Sequence, residues 1–328
     1  MPRIVRFHQT GLADVLKIEQ TEIPQPGPGE VVLKVEAIGL NRAEVMFRTG
    51  RYMYPPKFPS SLGYEAAGTI VAVGPDVNQW KVGQKASAVP SFSLQDYGTY
   101  GEYVVLPAYA LESYPENLSP EEAASIWMQY LTAIGIIEIG KLQADQWVLI
   151  TAAASSVGLA AIQIARSIGA RPIATTRNQD KVEALKSAGA ELVINTKEQD
   201  LGAVVNEVTK GAGVPLIFDP IAGPGVEQLA QAIGGSGMIM LYGALAMEPT
   251  PLPLFPLIGK HLTIRGYTLF EIVLNPERRK EAVGFLYDHL KNGTLRPIIA
   301  KVFKLDDIVE AHRYMESSEQ IGKIVVVP

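Results

Sequence analysis

Apolar residues follow two different periods along this chain. Before residue 119, short segments in which apolar and polar positions alternate are separated by turns rich in glycine and proline. Alternation with a period of two is typical of β-strands, and short strands joined by such turns favour a rolled, barrel-like sheet. The predicted elements here are one short helix at 41–49 and strands at 3–7, 16–20, 31–38, 67–74, 83–89 and 101–106.

The pattern changes at Ser119, which precedes a proline and two glutamates. Serine as the N-cap, proline at the first helical position and acids in the first turn predict a helix start. From there to about residue 260, short apolar strands alternate with helices, which predicts a doubly wound parallel sheet. The predicted strands are 147–151, 171–176, 191–195, 214–219 and 237–242, and the helices include 157–168, 179–188, 200–209 and 225–233.

The C-terminal segment begins with the strand 262–266 and carries helices at 277–291 and 305–317. It ends with the apolar strand 323–327, which needs a sheet to join, and the N-terminal sheet is the natural candidate. A length of 328 residues favours two domains. We therefore predict one domain of residues 1–122 and 265–328, and a second of residues 123–264.

Composition narrows the class of protein. An apolar content of 47% with 19% charged residues indicates an α/β enzyme with a large core. A net charge of −5 argues against nucleic acid or an anionic membrane as the main partner. The absence of cysteine excludes disulfides, thiolate metal ligands and a thiolate nucleophile. We find no signal peptide and no apolar run that could span a bilayer, and expect a cytoplasmic location.

One stretch predicts a binding site for a dinucleotide. The apolar strand 147–151 is followed by small residues and then by a helix start at Val157. Free N–H groups at a helix N-terminus attract a pyrophosphate, and small side chains let it approach the backbone. On the pattern G-x-G-x-x-G the three positions are Ala153, Ser155 and Gly158, so one glycine remains of three. A plain strand–helix junction, as found in any α/β protein, stays open as the alternative.

The next strand suggests which dinucleotide is bound. It ends at Thr176 and Arg177, with Lys181 soon after, and lacks the acid that would bind the ribose hydroxyls of NAD. A guanidinium pairs with a 2′-phosphate, which a carboxylate would repel. The residues therefore predict NADPH, although Arg177 and Lys181 could instead be solvated charges at a helix start.

The chain resembles the zinc-independent quinone oxidoreductases of the medium-chain dehydrogenase/reductase superfamily over essentially its whole length. The motifs that carry the resemblance are Gly39-Leu-Asn-Arg-Ala-Glu44, Gly50-Arg-Tyr52, Gly63-Tyr-Glu-Ala-Ala-Gly68, Leu131-Thr-Ala133, Ala152-Ala-Ala-Ser-Ser-Val-Gly158 and Ile321-Gly-Lys-Ile-Val325. It implies a GroES-like rolled β catalytic domain and a Rossmann cofactor domain, with the nicotinamide in the cleft between them. It also implies hydride transfer from NADPH to a quinone or an α,β-unsaturated carbonyl, and a homodimer formed through the edge strands of the cofactor-domain sheet.

Two departures from the wider superfamily bear on the chemistry. The zinc alcohol dehydrogenases carry an early cysteine, and Gly-His-Glu where this chain has Gly63-Tyr64-Glu65. Without that cysteine and histidine, no catalytic zinc is expected. The quinone oxidoreductases usually have two glycines where this chain has Ser155 and Ser156, and a small serine still permits close approach to a phosphate.

The resemblance also implies roles for particular residues. Asn41 and Tyr52 match the family's hydrogen-bond donors, and Thr132 matches a residue near the nicotinamide. Each has a structural alternative. Asn41 could be a helix cap, Tyr52 could be a packing residue, and the Thr132 hydroxyl could bond back to a helix carbonyl. Further positions match the family's cofactor contacts, each with a structural role as the alternative: Ser155, Ser156, Val157, Gly158, Gly243, Gly322 and Lys323. Thr176, Arg177 and Lys181 are assigned to the cofactor from the residues that end the strand 171–176, not from the resemblance.

Two other functions compete with the quinone or enone reductase. An enoyl thioester reductase on the same scaffold would use a tyrosine at the position of Tyr52 as its proton donor. An NADPH-binding protein with little turnover would serve a structural or regulatory role. An alcohol dehydrogenase proper would need zinc, for which the ligands are missing.

Overall fold

The computed structural model describes all residues from Met1 to Pro328. Its strands are β1 Arg3–Arg6, β2 Lys17–Gln20, β3 Glu30–Gly39, β4 Glu65–Val73, β5 Lys85–Ala88, β6 Tyr103–Pro107, β7 Leu111–Glu112, β8 Trp147–Ile150, β9 Arg171–Thr176, β10 Leu192–Asn195, β11 Val214–Asp219, β12 Ile233–Leu241, β13 Thr263–Gly266, β14 Ile299–Lys304 and β15 Lys323–Val327.

Twelve α-helices complete the fold, with short 3₁₀ turns between some of them. They are α1 Arg42–Arg48, α2 Pro120–Ala123, α3 Trp127–Ala133, α4 Gly135–Glu138, α5 Ser156–Ser167, α6 Val182–Ser187, α7 Leu201–Val208, α8 Val226–Ala232, α9 Leu254–Gly259, α10 Phe270–Val273, α11 Pro276–Lys291 and α12 Ile308–Ser317. None of these helices combines the length and the hydropathy that crossing a bilayer requires.

The chain divides into two compact units. The first contains residues 1–128 and 297–328, and the second contains residues 129–296. This division places residues 265–296 in the second unit, whereas the sequence-based boundary assigned them to the first. The contacts of that segment explain the difference, because the Gln163 side-chain amide donates to the carbonyl of Arg296 at 3.0 Å. The domain limits at 122/123 and 264/265 stay a prediction.

The first unit is built on a seven-stranded sheet. Six strands follow the order β14-β15-β3-β4-β5-β7, and β6 pairs with β3. The predicted joining of the two chain ends is confirmed, because β15 pairs antiparallel with the end of β3. The strands predicted at 3–7 and 16–20 instead form a separate two-stranded sheet. Val5 and Phe7 bury their side chains while their N–H groups bond to loop carbonyls, of Tyr100 and Ser60.

The second unit is a parallel six-stranded sheet with the order β10-β9-β8-β11-β12-β13. The predicted doubly wound sheet is therefore confirmed, and strand order reverses between β8 and β11. A core of buried aliphatic side chains includes Leu149, Ile217 and Ile239 from three neighbouring strands and Val205 and Leu229 from two helices. Burial of this kind stabilises by roughly 25 cal/mol per Å² of apolar surface.

A buried polar chain connects α1 to α12 in the first unit. Arg48 donates to Nδ1 of His312 at 2.9 Å and to Glu316 at 2.6 Å. Tyr100 donates its hydroxyl proton to Glu44 at 2.6 Å, and Nε2 of His312 lies 3.0 Å from the same hydroxyl oxygen. Because that phenol proton is already used, Nε2 must carry the imidazole proton and Nδ1 must accept from Arg48. The geometry therefore requires a neutral imidazole.

This arrangement makes stability depend on pH. Burial, with a further contribution from the Arg48 charge, lowers the pKa of His312 from 6.5 to about 3. Between these values the unfolded chain binds a proton that the folded chain does not, so stability falls as the pH drops from 7 toward 5. Below the pKa that His312 has in the unfolded chain, this residue lowers the free energy of unfolding by about 1.4 kcal/mol for each pH unit.

We predict that His312→Gln lowers the urea midpoint at pH 7 but flattens its decline between pH 7 and 5. Urea unfolding at a series of pH values measures this, with the exposed His261→Asn as the control. An unchanged slope in His312→Gln would contradict the assignment.

Candidate active site

The predicted phosphate turn lies at the carboxyl end of β8, beside the point where strand order reverses. Ser155 is the N-cap of α5, and its hydroxyl accepts from the N–H of Gly158 at 3.1 Å. The N–H groups of Ser156 and Val157 have no hydrogen-bond partner within the protein. A twelve-residue helix thus begins with two free donors in the crevice where α/β proteins of this type bind ligands.

Gly158 is required by the packing of this turn. A Cβ atom there would lie 2.6 Å from both the Cα and the carbonyl oxygen of Ala153. The backbone of Ala153 cannot move aside as a flexible side chain could. Close packing therefore requires a glycine at position 158, the third position of the glycine pattern. Ser155, by contrast, has an ordinary φ of −69°, and Ser156 is the first residue of α5, so neither backbone conformation requires a glycine.

Three further side chains lie at the carboxyl ends of neighbouring strands. The Thr151 hydroxyl donates to the Asp219 carboxylate, which also accepts from the N–H of Ala222 at 2.6 Å. Burial raises the pKa of Asp219. Tyr242 stacks on Phe218 with ring centroids 3.9 Å apart. These contacts tie the loops after β8, β11 and β12 together, and no sequence motif indicated them.

The loop after β9 carries the residues predicted to select the cofactor. Thr176 is buried, and its hydroxyl accepts from the N–H of Asn178 at 3.1 Å. Arg177 is exposed and forms no ion pair or hydrogen bond within the protein. Lys181 follows at the end of a 3₁₀ turn, and Asp180 is the one acid between them. The Thr176 contact fixes the loop, while the Arg177 guanidinium stays available.

Gly243 and Thr132 are the remaining positions of the second unit that are predicted to lie near the cofactor. Gly243 follows β12, and a Cβ there would lie 2.8 Å from the carbonyl oxygen of Pro220. The loops after β11 and β12 therefore run close together at this glycine. Thr132 lies in α3 and is 6% exposed.

Asn41, Glu65 and Lys323 form one buried cluster in the first unit. The Lys323 ammonium donates to Oδ1 of Asn41 at 2.6 Å and is paired with the Glu65 carboxylate. Glu65 also accepts from the Asn41 amide at 3.2 Å and from the N–H of Met128 at 2.8 Å. Asn41 is the N-cap of α1, and Glu44 closes its capping box. The side chains of Asn41 and Lys323 are thus used within the protein.

Gly322, next to this lysine, serves the backbone. Its φ of +101° is open to glycine but strained for other residues, and a Cβ would lie 2.2 Å from the Ile298 carbonyl oxygen. A structural role, instead of contact with a cofactor, therefore accounts for the observed contacts of both Gly322 and Lys323.

The residues of this region do not fit a catalytic zinc. Zinc requires three or four well-placed nitrogen, sulfur or carboxylate ligands. No group of three or more histidine, cysteine, aspartate or glutamate side chains is arranged to hold a metal ion. Tyr64 offers a phenol, and Glu65 is already paired with Lys323.

Tyr52 belongs to a cluster of three tyrosines. The hydroxyl of the buried Tyr64 lies 3.0 Å from those of both Tyr52 and Tyr54, and the N–H of Leu94 donates to Tyr54 at 3.2 Å. Tyr52 packs edge-to-face on Phe47 and Tyr54. The sequence indicated Tyr52 alone, because the spacing of residues 52, 54 and 64 gives no sign that their hydroxyls meet.

Comparison with known proteins agrees with this architecture. Residues 27–116 match the family model of the alcohol dehydrogenase GroES-like domain, and residues 156–287 match that of the zinc-binding dehydrogenases. A 2-haloacrylate reductase from Burkholderia sp. is 30% identical over 98% of both chains. A quinone oxidoreductase from Pseudomonas aeruginosa is 28% identical over the full length of both chains.

A solved structure gives the same result. The Escherichia coli quinone oxidoreductase complexed with NADPH superposes with a TM-score of 0.91 at 28% identity, covering 99% of this chain and all of that one. The chain belongs to the medium-chain dehydrogenase/reductase superfamily, and within it to the zinc-independent quinone oxidoreductase group.

Proposed function

We propose that this protein is an NADPH-dependent reductase that transfers a hydride to a quinone or an α,β-unsaturated carbonyl without a metal. The observation that carries the proposal is the small-residue turn 152–158, which ends in free N–H donors beside the switch point of a parallel sheet. Membership of the quinone oxidoreductase group supports the same activity. The 2-haloacrylate reductase extends the candidate acceptors, because a haloacrylate also holds a double bond conjugated to a carboxyl group.

The second unit would bind the dinucleotide by its phosphates. Ser156 and Val157 would donate their N–H groups to the pyrophosphate, with Ser155 and Gly158 shaping the turn around it. Arg177, supported by Lys181 and the fixed Thr176 loop, would pair with the 2′-phosphate. Gly243 would border the cofactor from the loop after β12, and we assign the buried Thr132 to the nicotinamide side.

NADPH, when bound, supplies the hydride. The chain must then supply a proton to the acceptor and hydrogen bonds for the charge that develops there. Burial raises the pKa of Tyr52 to about 12. The phenol is therefore protonated at neutral pH, and we assign Tyr52 as the proton donor.

The other predicted residues of the first unit receive supporting roles in this proposal. Asn41 caps α1, which leads to the Tyr52 loop, and Lys323 neutralises Glu65 beside it. Gly322 allows the backbone turn that brings Lys323 into β15. We therefore assign these three residues to positioning rather than to direct contact with cofactor or substrate.

We also propose a homodimer formed through the edge of the cofactor-domain sheet. β13 pairs only with β12, which leaves its other edge open. The preceding helix α9 exposes Leu254, Phe255 and Ile258, with Phe255 86% exposed. An open strand next to large exposed apolar side chains is typical of a self-associating surface. Light scattering at micromolar concentration should give a dimeric mass, and a monomeric mass would contradict this.

A cytoplasmic location stays a prediction.

The central experiment measures NADPH oxidation against quinones, enones, a 2-haloacrylate and enoyl thioesters. We expect turnover with quinones or enones, and expect Tyr52→Phe to lower kcat by about 10²-fold or more without weakening NADPH binding. The exposed Tyr109→Phe is the matched control and should behave as the wild type.

Each other outcome has a definite meaning. Turnover restricted to enoyl thioesters would favour the enoyl thioester reductase. Tight NADPH binding without turnover of any acceptor would favour a structural or regulatory protein. Unchanged turnover in Tyr52→Phe would remove this residue from the chemistry.

Cofactor choice is tested separately. Arg177→Asp should raise the Kd for NADPH at least tenfold, since a carboxylate would repel the 2′-phosphate, and should spare NADH. Titration of both cofactors measures this, with the exposed Arg278→Asp on helix α11 as the control of equal charge change. Equal losses for NADPH and NADH would rule out the 2′-phosphate contact.

A further inference from the structure

The three tyrosine hydroxyls form a line along which protons can pass from Tyr54 through Tyr64 to Tyr52. Tyr54 accepts from the N–H of Leu94 at 3.2 Å, so its own proton is free to go to Tyr64, 3.0 Å away. Tyr64 can then donate to Tyr52, also at 3.0 Å. With its oxygen accepting in this way, Tyr52 directs its proton outward from the chain of phenols.

Packing alone does not account for the hydroxyl of Tyr64. The residue is fully buried, and its ring lies 5.6 Å from that of Phe92. Phenylalanine would fill the same space without bringing a polar atom into the core, which requires hydrogen-bond partners. The partners of this hydroxyl include two other phenols, each of which is only half-buried.

We propose that Tyr64 and Tyr54 are positioning residues that act through Tyr52, forming a relay that replaces the proton Tyr52 gives to the reduced acceptor. The inference rests on the proposed function, in which Tyr52 is the proton donor. It also gives a use to position 64, where the zinc-containing relatives carry histidine: the phenol connects the donor to a second, partly exposed tyrosine.

Reduction of the acceptor consumes one hydride and one proton. The acceptor gains a hydride from the cofactor and a proton from Tyr52, whose O–H bond breaks. The Tyr64 proton moves to the Tyr52 oxygen, and the Tyr54 proton moves to the Tyr64 oxygen. Tyr54 is left as a phenolate that accepts from the Leu94 N–H, and it regains a proton from water.

The burial of Tyr64 decides how the protons move along the relay. Burial raises the pKa of Tyr64 far above its ordinary value, with the two neighbouring phenols adding to the shift. A phenolate at Tyr64 is therefore disfavoured, so the protons must move together. Tyr54 accepts from the Leu94 N–H and is partly exposed, so solvent can return a proton to the relay at this end.

The test uses single-turnover oxidation of bound NADPH in mixtures of H₂O and D₂O. The wild-type rate should fall in D₂O along a bowed curve, because several protons move in one step. Tyr64→Phe should lower the rate by about tenfold or more and give a straight line, because Tyr52 then transfers its proton alone. Tyr54→Phe, at the partly exposed end, should do the same and serves where Tyr64→Phe fails to fold. Tyr109→Phe should retain the wild-type curve.

The readouts separate this inference from the proposed function. NADPH affinity should be unchanged in both relay variants, since neither residue binds the cofactor. Wild-type rate and curvature in Tyr64→Phe or Tyr54→Phe, together with a large loss in Tyr52→Phe, would overturn the relay and leave Tyr52 as the donor. The absence of a solvent isotope effect in the wild type would also overturn the relay. No loss in Tyr52→Phe would overturn the donor assignment itself.

Discussion

The pairing of Lys323 with Glu65 is the interaction on which the first unit depends. Both side chains are buried, and the pair joins the last strand of the chain to β4 while Asn41 links it to α1. Removing one partner of such a pair leaves an uncompensated charge in the interior, at a cost of about 3–5 kcal/mol. The ammonium thus supplies the positive charge that Glu65 requires, in a unit that has no set of ligands for a metal ion.

The rest of the candidate site follows from this support. Asn41 is held between Glu65 and Lys323, and it caps the helix that leads into the Tyr52 loop. Tyr64, which directly precedes Glu65 and β4, holds the centre of the tyrosine cluster. Lys323, in β15, therefore supports the geometry of a loop near residue 52, although more than 270 positions of sequence separate them.

The sequence predicted the second unit better than the first. Strands such as β8 are continuous apolar runs, and the side chains of Ser155, Asp200 and Asn275 cap three of its helices, so local pattern and final structure agree. In the first unit, alternation predicts the two N-terminal strands but not that they pair with each other, because it identifies a strand and not its partner. The phosphate turn could be found from spacing along one segment. Spacing could not predict the contacts that arise from tertiary packing. These are the meeting of Tyr52, Tyr54 and Tyr64 and the pairing of Lys323 with Glu65.

The composition of the first unit also bears on the order in which the protein can fold during synthesis. All strands of the second unit lie between residues 129 and 296, so that sheet can assemble as soon as this segment has left the ribosome. The first unit lacks β15 until residues 323–327 emerge, and until then Glu65 has no Lys323 ammonium to pair with. The nascent N-terminal half must therefore wait in an incomplete state, a period in which a chaperone could protect its exposed strand edges.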